Sequence, residues 1–511
     1  MARIGGRAGR RQRDSQLGQR RKVDYRNLKN PFIPQGVFSE DEVESLHQTA
    51  LRVLSELGIK VLDADARAVF KAAGASVDTD SQIVRVGPEI VAAALASAPK
   101  RIDLKAIDPA RDVRLELGMM QFCTGAGCPH ASDRIRGRRP GTIRDFRELV
   151  QLIEGFDALS TQTAVVEPQD IPIQFRHYEL TQVQIANSNK VPFQYARGHG
   201  QVEESFEMLA LAKGLSDAEF TRNVHTFTII NTNSPRVLDI PMAQGIMDFA
   251  KHGQVSVITP FCLMGAMAPI TVAGGLVLQH AESLFGITLS QLVNPGAPVM
   301  YGNFASSVDM KSGAPAFGTP EHVKATLGSG QLARRIGLPW RTASGSASNM
   351  ADAQGAHETE MGTWAGVLAG GTYIVHAAGW LEGGLTLGYE KLITDMEMVQ
   401  TFAELASRTV ADDAEMAFAA LADVQPGGHF FATEHTMDRY QTAFYDPLVA
   451  DWSNFGQWTE NGALSADQRA TAIWQERLAN FKPPAGADER AGRLDDYIAR
   501  RKQAGGTPPV A

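Results

Sequence analysis

Residues 255–259 read Val-Ser-Val-Ile-Thr, and seven further runs of the same kind recur along the chain. Such a run is apolar almost throughout instead of alternating, which is typical of parallel strands buried on both faces. A loop containing glycine, proline or asparagine follows each run, and a helical stretch follows the loop. The eight runs are Met119–Cys123, Thr161–Val166, Val191–Ala196, Val224–Ile230, Val255–Thr259, Pro298–Gly302, Leu338–Thr342 and Thr372–Ala377.

The spacing of these runs predicts an α/β fold. Their first residues are about 30 to 43 residues apart, which is the length of one strand plus one helix. Eight units with none left over favour a (β/α)8 TIM barrel over an open doubly wound sheet. No Gly-x-Gly-x-x-Gly motif follows a run, so the mark of a dinucleotide-binding sheet is missing. We expect the barrel to occupy residues 118–396.

Segments of different composition flank the predicted barrel. Ser39-Glu40-Asp41-Glu42 is a capping box that opens an amphipathic helix, and further short helices and strands follow it. Residues 31–117 therefore predict a small N-terminal α/β lead-in. Residues 397–482 predict a helical C-terminal extension, and residues 483–511, rich in glycine, proline and charge, predict a flexible tail.

The first 30 residues predict a basic, disordered arm. In residues 1–22, eight basic side chains stand against one acid, Asp14. No apolar run follows them, so they do not form a secretory or twin-arginine signal. A solvated tail is one interpretation, and an arm that folds onto an acidic partner or a neighbouring subunit is the other. The basic residues are Arg3, Arg7, Arg10, Arg11, Arg13, Arg20, Arg21 and Lys22.

Composition excludes several classes of protein. The 511 residues carry a net charge of −8, which argues against nucleic-acid binding by the bulk of the chain. Three cysteines cannot form a disulfide framework and indicate a reducing, cytoplasmic location. Between His252 and His280 no residue is formally charged, but Pro260 and Pro269 would break a membrane-spanning helix. We therefore predict a buried segment in a protein that does not span a membrane.

The carboxyl ends of barrel strands meet at one mouth, where TIM-barrel enzymes carry their chemistry. The residues predicted there include no lysine for a Schiff base and one convincing acid, Glu167, where a glycosidase needs two. Aromatic rings around a polar rim suit a quaternary ammonium ion, and simple packing of the mouth is the alternative. The candidate substrate-binding residues are Phe261, Tyr301, Phe304, Trp380, Arg197, His199, Asn231 and His376.

A zinc site is a weaker interpretation of the first strand end. Cys123, Cys128 and His130 are close in sequence, and Cys262 could complete a set of ligands. The spacing Cys-x4-Cys-x-His matches the usual pairs of zinc-binding cysteines poorly, and buried thiols are the alternative. We expect no metal, and a metal analysis of the purified protein would test the zinc interpretation.

Three stretches resemble the trimethylamine methyltransferase family. They are Met-Tyr-Gly-Asn-Phe at 300–304, the Ser346 to Glu358 stretch with its Asp-Ala-Gln run, and Gly-Gly-His-Phe-Phe at 427–431 with Glu-His-Thr at 434–436. The resemblance covers about residues 30 to 480 and implies transfer of a methyl group from a methylated amine to the cobalt of a corrinoid (cobalamin) protein. The corrinoid-binding signature Asp-x-His-x-x-Gly is not found here, so the resemblance implies a separate corrinoid protein as partner, together with a homo-oligomer.

Family members that act on trimethylamine carry pyrrolysine near the barrel mouth. The matching position here falls near Ser348-Asn349, which are ordinary residues, so this sequence is more similar to the members that demethylate quaternary amines. A quaternary amine leaves as a neutral amine and needs no acid, whereas a tertiary amine must first be activated. Glycine betaine is the expected substrate. The alternatives are trimethylamine, proline betaine or carnitine as methyl donor, and a barrel that binds such cations without catalysis.

Glycine betaine has two parts, and the predicted mouth offers groups for each. Its trimethylammonium group is expected among the four aromatic candidates, and its carboxylate beside Arg197, His199, Asn231, His376 or the backbone near Gly345. A salt bridge from Arg197 to Glu167 is the alternative role for that arginine. The aromatic residues between Gly427 and Trp458 predict a docking surface for the corrinoid protein, with packing on the barrel or on another subunit as the alternative.

Overall fold

The structure, a computed structural model, describes residues 24–510. The basic residues of the predicted arm lie outside the described residues. The predicted capping box is confirmed, because the Glu42 amide donates to Ser39 Oγ at 3.3 Å and the Glu42 carboxylate accepts from the Ser39 amide at 2.8 Å. The N-terminal elements are β1 (Leu28–Lys29), α1 (Glu40–Arg52), β2 (Ile59–Val61), α2 (Ala64–Ala72), β3 (Ser76–Val77), β4 (Ile83–Arg85), α3 (Pro88–Ser97), β5 (Arg101–Leu104) and β6 (Val113–Glu116).

The middle of the chain alternates strands with helices, as the sequence predicts. Its strands are β7 (Met119–Phe122), β8 (His130–Asp133), β9 (Gly137–Pro140), β10 (Phe227–Ile230), β11 (Val237–Leu238), β12 (Val255–Ile258), β13 (Phe261–Met264), β14 (Val299–Gly302), β15 (Phe304–Val308), β16 (Pro315–Ala316), β17 (Trp340–Ala343), β18 (Tyr373–Val375), β19 (Trp380–Leu381) and β20 (Thr386–Gly388). Its helices are α4 (Ile143–Glu154), α5 (Arg176–Asn187), α6 (His199–Lys213), α7 (Asp217–Arg222), α8 (Ile240–Lys251), α9 (Val272–Val293), α10 (Pro320–Ile336), α11 (Ala353–Leu368) and α12 (Tyr389–Leu405).

Six of the predicted strands form one parallel sheet, which confirms the α/β class. Its order is β7-β18-β17-β14-β12-β10, and β1 adds to β7 as an antiparallel edge strand. The two remaining runs, Thr161–Val166 and Val191–Ala196, make isolated parallel bridges instead of regular strands. Pro192 explains part of this difference, because a proline has no amide hydrogen to give to a ladder. The regular sheet therefore contains fewer strands than the predicted eight.

The uncharged stretch is buried in the sheet strands and in most of α9, whereas residues 265–274 around the start of α9 are exposed or half-buried. Helix α9 has 22 residues and is the one helix of the described chain that is long and apolar enough to cross a membrane, yet 78% of its apolar window is buried. It contacts α1, α3, α8 and α10. Phe285 of α9 stacks on Phe70 of α2, with ring centroids 4.4 Å apart. The N-terminal lead-in thus shares a core with the helices that cover the sheet.

The end of the chain corrects one prediction. The predicted flexible tail, residues 483–511, contains a helix of 17 residues that packs on α5 and α6. Leu494, Tyr497 and Ile498 are buried at helical spacing, which the many charges around them obscured in the sequence. Beyond this helix, Thr507 is held too, since its hydroxyl donates to Glu204 at 2.8 Å. The C-terminal helices are α13 (Asp413–Met416), α14 (Phe418–Asp423), α15 (Glu434–Arg439), α16 (Phe455–Glu460), α17 (Ala466–Ala479) and α18 (Ala487–Gln503).

Candidate functional site

Two short strands bring Phe261 and Phe304 together beyond the carboxyl ends of the sheet. Strand β13 follows β12 after Pro260, and β15 follows β14 after Asn303. The two strands pair in parallel with Phe261 opposite Phe304, and the ring centroids are 4.6 Å apart. Residues opposite each other in paired strands share one face of the sheet. The register therefore puts both rings on the same side of the mouth.

His376 and Trp380, which follow β18, complete the group. Their rings are stacked with centroids 4.0 Å apart and planes 1° from parallel. The Phe304 centroid lies 5.0 Å from that of His376 and 5.7 Å from that of Trp380. Phe317, which the sequence did not single out, lies 5.4 Å from Trp380. We call these side chains the aromatic cluster; its members are Phe261, Phe304, Phe317, His376 and Trp380.

Glycines make room for the indole of Trp380. A Cβ atom at Gly345 would lie 2.3 Å from the indole, and one at Gly384 would lie 2.4 Å from it. A Cβ atom at Gly125, at the end of the first predicted strand, would lie 2.7 Å from the indole. A larger residue at any of these positions would displace the ring. The absence of a side chain at these three positions thus leaves the space that the Trp380 ring occupies.

His376 is held in an unusual state. Its φ angle of 60° is in the left-handed region, which a histidine adopts rarely and which is enriched at functional sites. Burial, followed by the charges of Arg341 and His322, lowers the pKa of His376 well below its ordinary value. Its Nδ1 atom is buried and has no hydrogen-bond partner among the described residues. The cluster therefore contains a neutral imidazole with one unused nitrogen.

A guanidinium group that the sequence analysis missed lies against the cluster. Arg341 of β17 is 1% exposed, and its guanidinium carbon is 4.9 Å from the Phe304 ring centroid. Its Nη1 donates to the Asn303 carbonyl at 2.7 Å, while its Nε has no partner. Burial lowers the pKa of Arg341 to about 10, so the group is still charged at neutral pH.

Arg341 forms no ion pair with a carboxylate of residues 24–510. A buried cation without an opposite charge is costly, by several kcal/mol in real proteins. A ligand that brought an anion to this position would remove most of that cost. The available signal in the sequence was a charged residue inside the otherwise apolar run Leu338–Thr342.

The other cationic and polar candidates have partners elsewhere. Arg197 forms the alternative salt bridge with Glu167, at 2.5 Å and 3.3 Å, and its guanidinium lies 3.9 Å from the Tyr195 ring centroid. His199 is the first residue of α6, and its Nδ1 is 2.7 Å from both carboxylate oxygens of Asp248. Asn231 is exposed just after β10. These side chains do not join the cluster.

Tyr301 does not join the cluster either. Its hydroxyl contacts His280 Nδ1 at 3.1 Å and Gln279 at 3.3 Å, and both belong to α9. These contacts show that the Tyr301 side chain faces the helices outside the sheet. Neighbouring residues of a strand point to opposite faces of the sheet, so one face of β14 is directed at α9. Four of the eight candidates lie together in the structure, namely Phe261, Phe304, His376 and Trp380.

The cysteines give the zinc interpretation no support. Cys123, Cys128 and Cys262 are free and buried. Burial raises the pKa of the Cys123 thiol to about 12, which disfavours the thiolate that zinc requires. Within residues 24–510, no three His, Cys, Asp or Glu side chains are grouped so that they could hold a metal ion.

A loop next to the cluster is fixed by one carboxylate. Glu358 of α11 accepts from the Ser346 hydroxyl at 2.7 Å, from the Ala347 amide at 2.7 Å and from the Ser348 amide at 3.2 Å. The same loop contacts the residues after Trp380, since the Glu382 amide donates to the Ser348 carbonyl at 2.9 Å. The position of Ser348 is thus determined by its hydrogen bonds.

A buried ion pair holds the loop that carries His376 and Trp380. Asp395 of α12 accepts from the Gly379 amide at 2.8 Å and from the Lys391 ammonium group. Both charged side chains are almost fully buried, at 4% and 1% exposure. The pair is therefore a positioning element for the cluster, one layer behind it.

Replacing Asp395 with alanine is expected to lower the free energy of unfolding by about 3–5 kcal/mol, because it leaves the Lys391 charge buried and unpaired. Denaturant unfolding followed by circular dichroism measures this change. Glu56→Ala is the matched control, since Arg52 and Glu56 have the same i,i+4 spacing on the surface. That control should leave the unfolding free energy unchanged within error. Equal effects of the two substitutions would contradict the expectation.

Comparison with known proteins gives a consistent set of relatives. The profile of the trimethylamine methyltransferase (MTTB) family matches residues 3–506. The chain is 33% identical over 467 residues to the glycine betaine methyltransferase of Desulfitobacterium hafniense strain Y51, covering 91% of this chain and 97% of that protein. It is 28% identical over 465 residues to the trimethylamine methyltransferase MttB of D. hafniense strain DSM 10664 / DCB-2, covering 90% and 93%.

Solved structures are more distant. The monomethylamine methyltransferase MtmB of Methanosarcina barkeri aligns with 93% of this chain and 98% of its own, at 9% identity and a TM-score of 0.47.

Proposed function

The chain belongs to the trimethylamine methyltransferase family, and on that premise we propose that it moves a methyl group from glycine betaine to the Co(I) of a separate corrinoid protein. The observation that carries the choice of substrate is Arg341, a buried cation without a carboxylate partner beside the aromatic cluster. Trimethylamine has no carboxylate to offer that group. The glycine betaine methyltransferase of D. hafniense, at 33% identity, supports the same choice.

Each part of glycine betaine has a complementary group in this arrangement. The trimethylammonium group donates no hydrogen bonds, and the negative faces of aromatic rings attract such cations. The half-buried edge of the cluster at Phe261 is the natural place for it. The carboxylate would accept from Arg341, whose planar guanidinium matches its geometry. Arg341 therefore replaces Arg197 as the proposed anchor of the carboxylate, because Glu167 already neutralises Arg197.

The chemistry requires little from the protein beyond position and exclusion of water. The bond between nitrogen and one methyl carbon breaks, and its electron pair stays on nitrogen, so dimethylglycine leaves as a neutral amine at that atom. The electron pair of Co(I), supplied by the partner as methyl acceptor, forms the new bond to carbon. No proton is transferred, which agrees with a neutral His376 and with the small number of acids at the cluster. Holding the reactants in line accounts for a large part of such rate enhancements.

We also propose that the parallel sheet closes into the predicted (β/α)8 barrel over residues 118–396. The support is a set of parallel bridges that link β7 to β10 through the two irregular runs, namely Phe122–Leu159, Thr161–Val191 and Phe193–Phe227. The lead-in (31–117) and the helical extension (397–482) stay predictions as domain boundaries. The free, buried cysteines support a reducing, cytoplasmic location. A homo-oligomer is likewise a proposal.

The cobalt spectrum separates an enzyme from a barrel that only binds quaternary amines. The purified chain, a corrinoid protein reduced to Co(I) and glycine betaine are mixed anaerobically, and absorbance is followed. An enzyme converts the Co(I) spectrum to that of methyl-Co(III) and releases dimethylglycine in equal amount. Binding of glycine betaine by calorimetry without any spectral change would reject catalysis. Proline betaine and carnitine also carry a carboxylate, so the same assay ranks them against glycine betaine.

Arg197→Ala is expected to change kcat/KM for glycine betaine by less than about threefold. The reason is that Glu167 already accepts both hydrogen bonds of this guanidinium, and a partly exposed ion pair contributes little. Glu167→Gln is the matched control, because it breaks the same pair from the other side. A loss above tenfold with Arg197→Ala alone would restore this residue as the carboxylate anchor.

A further inference from the structure

The C-terminal part of the chain exposes an unusual amount of apolar surface. None of the residues in α13 to α16 is buried, although the connecting segment is rich in large side chains. We call residues 406–465 the C-terminal apolar segment. Several large apolar side chains exposed within one segment are typical of an interaction site. Its most exposed members, at 71–83% exposure, are Phe418, Phe431, Phe444, Trp452 and Phe455.

These exposed rings stand among negative charges. Residues 406–465 contain nine Asp or Glu side chains and two arginines, Arg408 and Arg439. Packing on the barrel, the alternative to the predicted docking surface, is therefore not found for the most exposed rings of residues 427–458, which lie on the surface. A surface of aromatic rings and carboxylates suits arginine, whose planar guanidinium stacks on rings and pairs with carboxylates at the same time.

One segment of this chain has the matching composition. Residues 1–22 carry seven arginines and one lysine against a single acid. The excess of positive charge there is as large as the excess of negative charge on the C-terminal apolar segment, seven in each case. Net charge complementarity of this kind is a recognition signal between surfaces.

The described chain begins next to the C-terminal apolar segment. The Tyr25 hydroxyl donates to Glu404 at 2.6 Å, in the last turn of α12 and two residues before the segment starts. A chain of 22 residues spans up to roughly 70 Å when extended, so it can cross the whole segment from this point. The attachment also gives residues 1–22 an effective concentration in the millimolar range, which no free partner matches.

From these observations we propose that residues 1–22 dock on the C-terminal apolar segment of the same chain. The proposal concerns a surface distant in sequence from the aromatic cluster and does not depend on the proposed function. A second copy of the chain and the corrinoid protein are the rival occupants.

Hydrogen exchange read by mass spectrometry tests the docking. The full chain is compared with a chain that lacks residues 1–22, and with a full-length variant carrying Arg7→Gln, Arg10→Gln, Arg11→Gln and Arg13→Gln. The rate of hydrogen exchange within residues 406–465 is expected to rise about tenfold in both variants. The same rise is expected in the wild-type chain at 0.5 M salt, because salt screens ion pairs between exposed arginines and carboxylates. Helix α17 is the internal control, because its exchange should not change.

A synthetic peptide of residues 1–22 gives the second measurement. It should restore protection to the truncated chain, whereas the peptide with the four glutamines should not. Phe431→Ser together with Phe444→Ser should weaken peptide binding at least about tenfold without a change in thermal unfolding, because both rings are exposed. Unchanged exchange after truncation would overturn the proposal. Protection that depends on protein concentration, or that arises only with the corrinoid protein, would overturn it in favour of those occupants.

Discussion

Arg341→Met should lower kcat/KM for glycine betaine by about 100- to 1,000-fold, which is about 2.7–4 kcal/mol of transition-state binding. This arginine is buried against Phe304, and the carboxylate of the substrate would be its missing ionic partner. Charge-assisted, bidentate hydrogen bonds in a dry site are among the strongest that a protein makes. Methionine keeps the apolar length of the side chain and removes the charge. Steady-state rates of dimethylglycine release measure the effect.

Three controls separate substrate binding from damage to the fold. Removal of an unpaired buried charge should leave the unfolding free energy equal or slightly higher, because its desolvation cost disappears. Arg334→Met is the matched substitution, since that guanidinium also donates to a main-chain carbonyl, of Ala369, but lies in α10. Tetramethylammonium, which has no carboxylate, should lose no activity with Arg341→Met. Equal losses for both substrates would contradict a role in carboxylate binding.

Trp380→Leu should raise the dissociation constant of glycine betaine by about 10- to 50-fold, while Trp380→Phe changes it by less than about fivefold. Each ring that faces the cation contributes about 0.5–2 kcal/mol when water is excluded, and leucine offers no such face. Loss of the indole also loosens His376, which is stacked on it at 4.0 Å. Calorimetry on the enzyme without its corrinoid partner gives the dissociation constants directly.

A neutral isostere of the substrate tests whether the positive charge of glycine betaine causes the expected loss of affinity in Trp380→Leu. In 3,3-dimethylbutyrate a carbon atom replaces the nitrogen of glycine betaine, so shape and carboxylate are kept and the positive charge is absent. The dissociation constant of 3,3-dimethylbutyrate should differ by less than threefold between the Trp380→Phe and Trp380→Leu enzymes. If the two ligands lose affinity equally, the cluster acts through packing alone and the cation interpretation is wrong.

The sequence predicts best where local chemistry determines structure. The capping box at Ser39 is confirmed, and six of the eight predicted strands pair in a parallel sheet. Phe304 and Trp380 were found because large aromatics follow strand ends. The helix Ala487–Gln503 was missed, because three buried residues among many charges give a weak periodic signal.

The rest of the site depends on contacts between distant parts of the chain. Tyr301 and Phe304 are three residues apart, but the break at Asn303 turns one towards α9 and the other towards the cluster. The sequence left two roles open for Arg197, a carboxylate anchor or an ion pair with Glu167, and the fold places Glu167, 30 residues earlier, against it. Arg341 is informative only because no carboxylate lies beside it in the described chain, and a sequence contains no record of such a missing partner.

The proposed methyl donor is a quaternary amine that carries a carboxylate. The most direct test is the initial rate of methyl-Co(III) formation with glycine betaine and with trimethylamine, at equal concentration, on the same enzyme and the same Co(I) corrinoid protein. The rate with glycine betaine should be at least about 100-fold higher, as the loss of a charge-assisted pair would give. An equal or higher rate with trimethylamine would contradict it.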